Sequence, residues 1–157
     1  MRVCLKRSFF QERRLRLDLI FKCAAGLIAG AVLSACAVLT TAELSNGPWQ
    51  VTGVSNGQAL VATREPGASM NLLLDGSGRA SGQSGCNRFS AGYTQSGTQL
   101  QFSQAAGTRM MCVQPEGVMQ YEAWMLAALN SVAAWSMDGD VLTLRTATGA
   151  TALTLKK

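Results

Sequence analysis

The sequence has no histidine. The side chain that most often serves as general base and as metal ligand near neutral pH is therefore missing. Aromatic residues make up 6% of the chain, and there are three prolines. No C-x-x-C pair occurs, which removes a thioredoxin-type redox site. After residue 35 the only cysteines beyond Cys36 are Cys86 and Cys112, too few, without histidine, for a zinc site. Serine and threonine are plentiful, but no nucleophile elbow surrounds them. A Ser-Lys pair is hard to build because Lys156 and Lys157 are the only lysines of that part. Asp138 and Asp140 sit in a turn and read as a solvated hairpin. The expectation is a protein that is not an enzyme and carries no cofactor and no metal. A small hydrolase, or an inhibitor or chaperone-like module, is the alternative.

An excess of positive charge on the folded part is also absent. Seven of the fourteen basic and two of the nine acidic residues lie in residues 1–35, which leaves seven of each for the remainder. The basic pI of about 9.2 thus belongs to the N-terminal segment. It does not indicate a nucleic-acid partner, which would require a basic face on the domain.

What the N-terminus does contain is a basic region ending at Lys22, then the uncharged, small and apolar run Cys23–Ala35. This is the layout of a secretory signal, and the run is short for a transmembrane helix of about 20 residues. Leu33-Ser34-Ala35-Cys36 resembles the lipobox of bacterial lipoproteins. The resemblance implies diacylglyceryl transfer to the Cys36 thiol, cleavage before it and acylation, such as palmitoylation, of the new amino terminus. Stable anchoring needs more than one acyl chain. Cys36 as an ordinary residue beside a plain signal site, or an uncut anchor, are the competing readings. Arg13-Arg14 suggests twin-arginine export, but Glu12 and Arg16 depart from that pattern. Ala37 follows the cysteine rather than an aspartate, which by analogy with enterobacterial sorting implies an outer-membrane lipoprotein facing the periplasm.

The expected organisation is a signal over 1–35, a lipidated tether over 36–47 and one domain over 48–157. Trp49–Val54 alternates as a strand, and residues 55–69 read as turn and loop around Asn56-Gly57 and Pro66-Gly67. Met70–Leu74 and a glycine-broken strand Arg79–Ser84 flank Asp75-Gly76-Ser77-Gly78, a hairpin signal. Phe89–Thr94 and Thr98–Phe102 follow, making an antiparallel meander. From Pro115 the period changes. A helix is expected over Pro115–Leu129, with Pro115 in its first turn and Glu116 near its positive end. Val118, Tyr121, Met125 and Leu129 form its apolar stripe, read as core packing. Ala133–Ser136, Val141–Thr146 and Ala150–Leu155 close the chain as strands. In an oxidising compartment Cys86 and Cys112 would form a disulfide worth about 3.5 kcal/mol. Two buried thiols are the alternative.

Three segments together resemble the META domain, or HslJ-like, family. They are Trp49-Gln50-Val51; Ser81-Gly82-Gln83-Ser84-Gly85-Cys86-Asn87-Arg88-Phe89-Ser90-Ala91-Gly92-Tyr93; and Thr108-Arg109-Met110-Met111-Cys112, followed by Glu122 and the helix. Ala91 stands where the family pattern suggests glycine. The resemblance implies an α+β fold, a curled antiparallel sheet forming an incomplete β-barrel with one packed helix. It also implies an envelope lipoprotein. Family members include a heat-inducible protein linked to novobiocin tolerance, and the fold is likened to a pilot lipoprotein that binds a secretin. The implied role is binding of a secretin-like envelope protein or an apolar ligand under envelope stress. In the motif, the glycines are expected to curl the sheet and Asn87 to bond neighbouring backbone. Phe89 and Tyr93 should share a face, and Arg88 and Arg109 would pair with Glu122 or be solvated.

Overall fold

The computed structural model describes residues 44–63 and 70–157. The signal segment, Cys36 and residues 37–43 lie outside them. The elements are β1 (Trp49–Ser55), β2 (Leu60–Ala62), β3 (Asn71–Leu74), β4 (Arg79–Gln83), β5 (Arg88–Ser96), β6 (Gln99–Phe102), β7 (Ala106–Gly107), the helix α1 (Val118–Ser131), β8 (Val132–Asp138), β9 (Val141–Thr146) and β10 (Thr151–Lys156).

The sheet is not an incomplete barrel. Antiparallel neighbours run β1-β3-β4-β5-β6-β8-β9-β10, and β10 pairs back onto β1, so eight strands form a closed ring. The closing register joins Gln50 to Lys156 and Val51 to Leu155, then slips by one residue to join Gly53 to Thr154. Thr52 Oγ1 donates to Thr154 O across this joint at 3.1 Å. Similar slips occur in β10 and β8. Such irregularities bend strands and raise their twist, which is what a small closed sheet requires. The two short strands add to this ring: β2 pairs β1 beyond β3, and β7 pairs β5 beyond β6.

Alternation decides what fills the ring. In β5, Phe89 and Ala91 are buried and Tyr93 is half-buried, while Arg88, Ser90, Gly92 and Thr94 are exposed. Trp49, Val51, Leu72, Leu74, Leu100, Leu142, Leu144, Leu153 and Leu155 are buried in one continuous core. Trp49 Nε1 donates to Leu44 O at 2.9 Å, and Leu44 is itself buried. Residue 44, placed in the tether by sequence, therefore packs with the domain.

α1 packs on β1, β10 and β6. β1 and β6 lie four places apart in the eight-strand ring, on opposite sides. A helix that reaches both must lie across one mouth of the barrel, where Met125, Ala128 and Leu129 enter the core. It begins later than expected. Gly117 takes the cap position with φ 81°, a left-handed conformation that interrupts the helical run. Pro115 and Glu116 therefore precede the helix, and no acid occupies its first turn. Its inward stripe is Val118, Met125 and Leu129 as expected, with Tyr121 half-buried, but Glu122 is buried in it as well.

The smaller differences follow from length. β2 and β7 have three and two residues, too few to show alternation, so the sequence reads β2 as loop and assigns β7 no element. β4 runs unbroken through Gly82, where an added Cβ would run into Asn71 O. The hairpin at Asp75–Gly78 forms as expected: Asp75 Oδ1 accepts from the backbone of Ser77 and Arg79 at 2.8 and 3.0 Å. Its Oδ2 accepts from the Ser77 hydroxyl at 2.8 Å. That hydroxyl first, then the two N–H groups, hold the Asp75 carboxyl below the usual carboxylate range. A folded-state pKa below the unfolded one stabilises the domain above the unfolded value and loses that contribution as pH falls through the folded one. Asp75→Asn is expected to lower the urea midpoint slightly at neutral pH, with the gap from the parent chain closing on acidification.

Candidate functional site

The β4–β5 turn is pressed against the start of α1. Gly85 sits there with φ 131°, and a Cβ on it would lie 3.2 Å from Val118 Cγ2 and 3.3 Å from Val118 O. Only glycine combines that backbone angle with so close an approach. Within the turn, Ser84 is fully buried; its N–H and its hydroxyl both donate to Asn87 O, at 2.8 and 2.9 Å.

Asn87, 3% exposed, is the hub. Its backbone N–H donates to Glu122 Oε2 and its Nδ2 to Glu122 Oε1, both at 2.8 Å. Nδ2 also donates to Met110 O at 3.1 Å. Its Oδ1 accepts from Met110 N–H and from the Thr108 hydroxyl, both at 2.7 Å. Every polar atom of the side chain is thus engaged, as burial demands. Thr108 is held again by Arg88, through Arg88 N–H to its hydroxyl at 3.2 Å and its own N–H to Arg88 O at 3.0 Å. The Cys86–Cys112 disulfide, spanning 26 residues with Cα atoms 5.9 Å apart, closes the same arrangement.

The structure therefore brings together Gly85, Cys86, Asn87, Thr108, Met110, Cys112 and Glu122. It does not bring Arg88 and Arg109 to Glu122. Asn87 occupies both carboxyl oxygens, and the two guanidinium-bearing residues are exposed. Nor does Asn87 bond its local backbone through its side chain; its partners lie 21 to 35 residues away. Trp49 and Phe89 belong to the core, and Tyr93 packs on Phe102 with ring centroids 6.3 Å apart. Gly92 N–H donates to Ser103 Oγ at 2.8 Å.

What this scaffold displays is the segment after Thr108. Met110, Met111 and Val113 are 57%, 85% and 87% exposed, while their backbone is pinned at residues 108, 110 and 112. Sequence reasoning assigned Met110 a structural place and missed the outward apolar row. The available signal was Met-Met-Cys-Val ahead of Pro115, an apolar run with no partner periodicity.

Three open concavities are lined by described residues. One of about 570 Å³ is lined by Ser77, Gly78, Arg79, Ser90, Gly92, Ser103 and Gln104. A neighbour of about 350 Å³ adds Tyr93, Thr94, Gln101 and Phe102. A third, about 390 Å³, lies beside Trp124, Ala127 and Ser131 of α1. Among the described residues no three metal-ligating side chains cluster.

The family model described as META domain matches residues 42–157. The chain belongs to the META domain family. The Cys86-Asn87 and Thr108-Arg109-Met110 motifs that suggested it are the two halves of the Asn87 hub. An NMR structure of a protein from Burkholderia xenovorans is similar, at 28% identity and a TM-score of 0.59, over 75% of this chain and 86% of that one. A second NMR structure shares 28% identity with a TM-score of 0.52, over 74% and 92%. No curated protein matches. In this META domain, the residues of the Asn87 hub hold the 108–112 backbone in place, and Met110, Met111 and Val113 face solvent.

Proposed function

We propose that this META-domain protein is a lipoprotein of the cell envelope, anchored through Cys36 to the outer membrane and facing the periplasm. Its barrel is a non-catalytic module that binds another envelope protein, in a setting of envelope stress or drug tolerance. The lipobox-like Leu33-Ser34-Ala35-Cys36 supports the anchor. One observation carries the binding role: Met110, Met111 and Val113 project from a backbone fixed by a disulfide and a buried asparagine. An apolar row held rigid loses little conformational freedom on docking. Methionine adapts to varied partner surfaces. These side chains stand in solvent and line none of the three concavities, which favours a protein partner over an apolar small molecule, whose site would be concave.

A photo-crosslinking side chain placed at Met110 in intact cells tests this. A discrete protein adduct is expected, and Met111→Ser with Val113→Ser should reduce it about thirtyfold, the size of one interface hot spot of about 2 kcal/mol. Intact mass of the isolated adduct should show a chain starting at lipid-bearing Cys36. No adduct, or one indifferent to the two serines, would overturn the binding role. An unprocessed Met1 terminus would overturn the anchor.

A further inference from the structure

Two joints of the ring are short: β1 and β3 share two registered pairs, and β6 and β8 share one. β8 registers on β6 through Gln99 and Ala134 alone, with Trp135 N–H donating to Thr98 O at 2.9 Å. Beyond that point β6 and β7 pair only with β5 among the described strands. One backbone side of residues 102–107 therefore has no strand neighbour among the described residues; Ser103, Gln104, Ala106 and Gly107 are exposed, and Phe102 and Ala105 are half-buried with their side chains against the core.

The direction of its amides follows from the ladder. Tyr93 N–H donates to Gly78 O, so its β6 partner Phe102 turns its amide away from β5, to the free side. Thr108 N–H donates to Arg88 O, so Gly107 also turns outward, as does Ala105 two residues earlier. Between them Ser103 N–H donates inward to Gly92 O, and the register changes by one residue, a single bulge.

Proteins normally guard such an edge with charge or proline. Here the residues from Phe89 to Thr108 include no charged residue and no proline. Along the chain, charge flanks this stretch where the edge runs into the exposed apolar loop, at Arg88 on β5 and Arg109 after Thr108, both exposed, while Arg79 of β4 shares a concavity with Ser103 and Gln104. We propose that residues 102–107 take up an extended, uncharged strand of a partner protein by strand addition. An acidic residue flanks that strand beside Arg88 and Arg109, and its neighbouring apolar side chains rest on Met110 and Met111. This rests on the reading of the 108–113 loop as a partner contact and adds how the partner is gripped: main-chain hydrogen bonds supply affinity, and the flank supplies direction.

The test uses the lipidated chain in detergent and a synthetic peptide, a six-residue alternation of threonine and valine with glutamate at both ends. Binding is expected to slow amide exchange at Ala105 and Gly107 at least tenfold while leaving Ala106 unchanged. Methylating the peptide's backbone nitrogens on one alternate set should abolish binding, and on the other set spare it. Lysine in place of the flanking glutamates should weaken it severalfold. Equal effects of the two methylated sets would overturn strand addition. A crosslink from Gln104 in cells to a second copy of this chain would overturn it in favour of self-pairing. If the Met110 crosslink to another protein persists while the peptide fails, strand addition falls and the loop contact stands; if both fail, both fall.

Discussion

Glu122→Ala should destabilise the domain by about 3 kcal/mol, more than its truncated surface alone would cost. The carboxylate accepts from the Asn87 backbone N–H and from its Nδ2, both at 2.8 Å, and is itself 8% exposed. Removing it leaves two buried donors unsatisfied, each costing about 1–3 kcal/mol. Glu122→Gln keeps the shape and one acceptor but sets an NH2 group against the second donor, so it should restore no more than about half the loss. Asn87→Ala should cost about as much by itself. The double variant should cost well under the sum, because each single change already strands the other residue. Urea midpoints of the four chains measure all of this. A Glu122→Ala chain within about 0.5 kcal/mol of the parent, the range of ordinary surface changes, would sink the hub as a stabilising element. Amide exchange at Met110 is expected to quicken in the Asn87→Ala chain, since Asn87 Oδ1 accepts from that N–H.

The same hub shows what is legible in a sequence. The Asp75–Gly78 hairpin, the alternation of Leu100 and Phe102 and the helix stripe are local signals, and each stands in the structure. A turn needs four residues and a strand about five, so the pattern lies in one window. Three things lay outside any window. The β1–β10 joint pairs residues about a hundred positions apart, and neither strand's composition says which edge it meets. The expectation of an open barrel fails for that reason. The partner of Glu122 was sought among the arginines because charge is visible in a sequence; burial, which favours a neutral donor with fixed geometry, is not. The free edge of β6–β7 depends on where β8 starts, and that depends on the length of α1. The candidate loop was half legible. Its residues stood in the family motif, but its exposure required knowing that its backbone was held elsewhere.

Replacing Cys86 and Cys112 together by alanine is the second large effect, and it separates stability from display. The loop-entropy account gives the 26-residue closure about 3.5 kcal/mol. In a domain of this size that lowers the melting temperature by roughly 10–20 °C. The bridge is not the loop's only restraint, because Thr108 is tied to Arg88 and Met110 to Asn87 without it. The cysteine-free chain should therefore keep the exchange protection of Thr108 and Met110 below its melting point. Met111 and Val113 flank Cys112 directly, and they should lose their fixed direction. A crosslinker at Met111 is then expected to capture less of the partner than one at Met110, by severalfold, relative to the bridged chain. Thiol reductant added to the parent chain should reproduce both effects. If the two crosslinking positions weaken together, the asparagine does not hold the loop independently, and the disulfide carries the display alone.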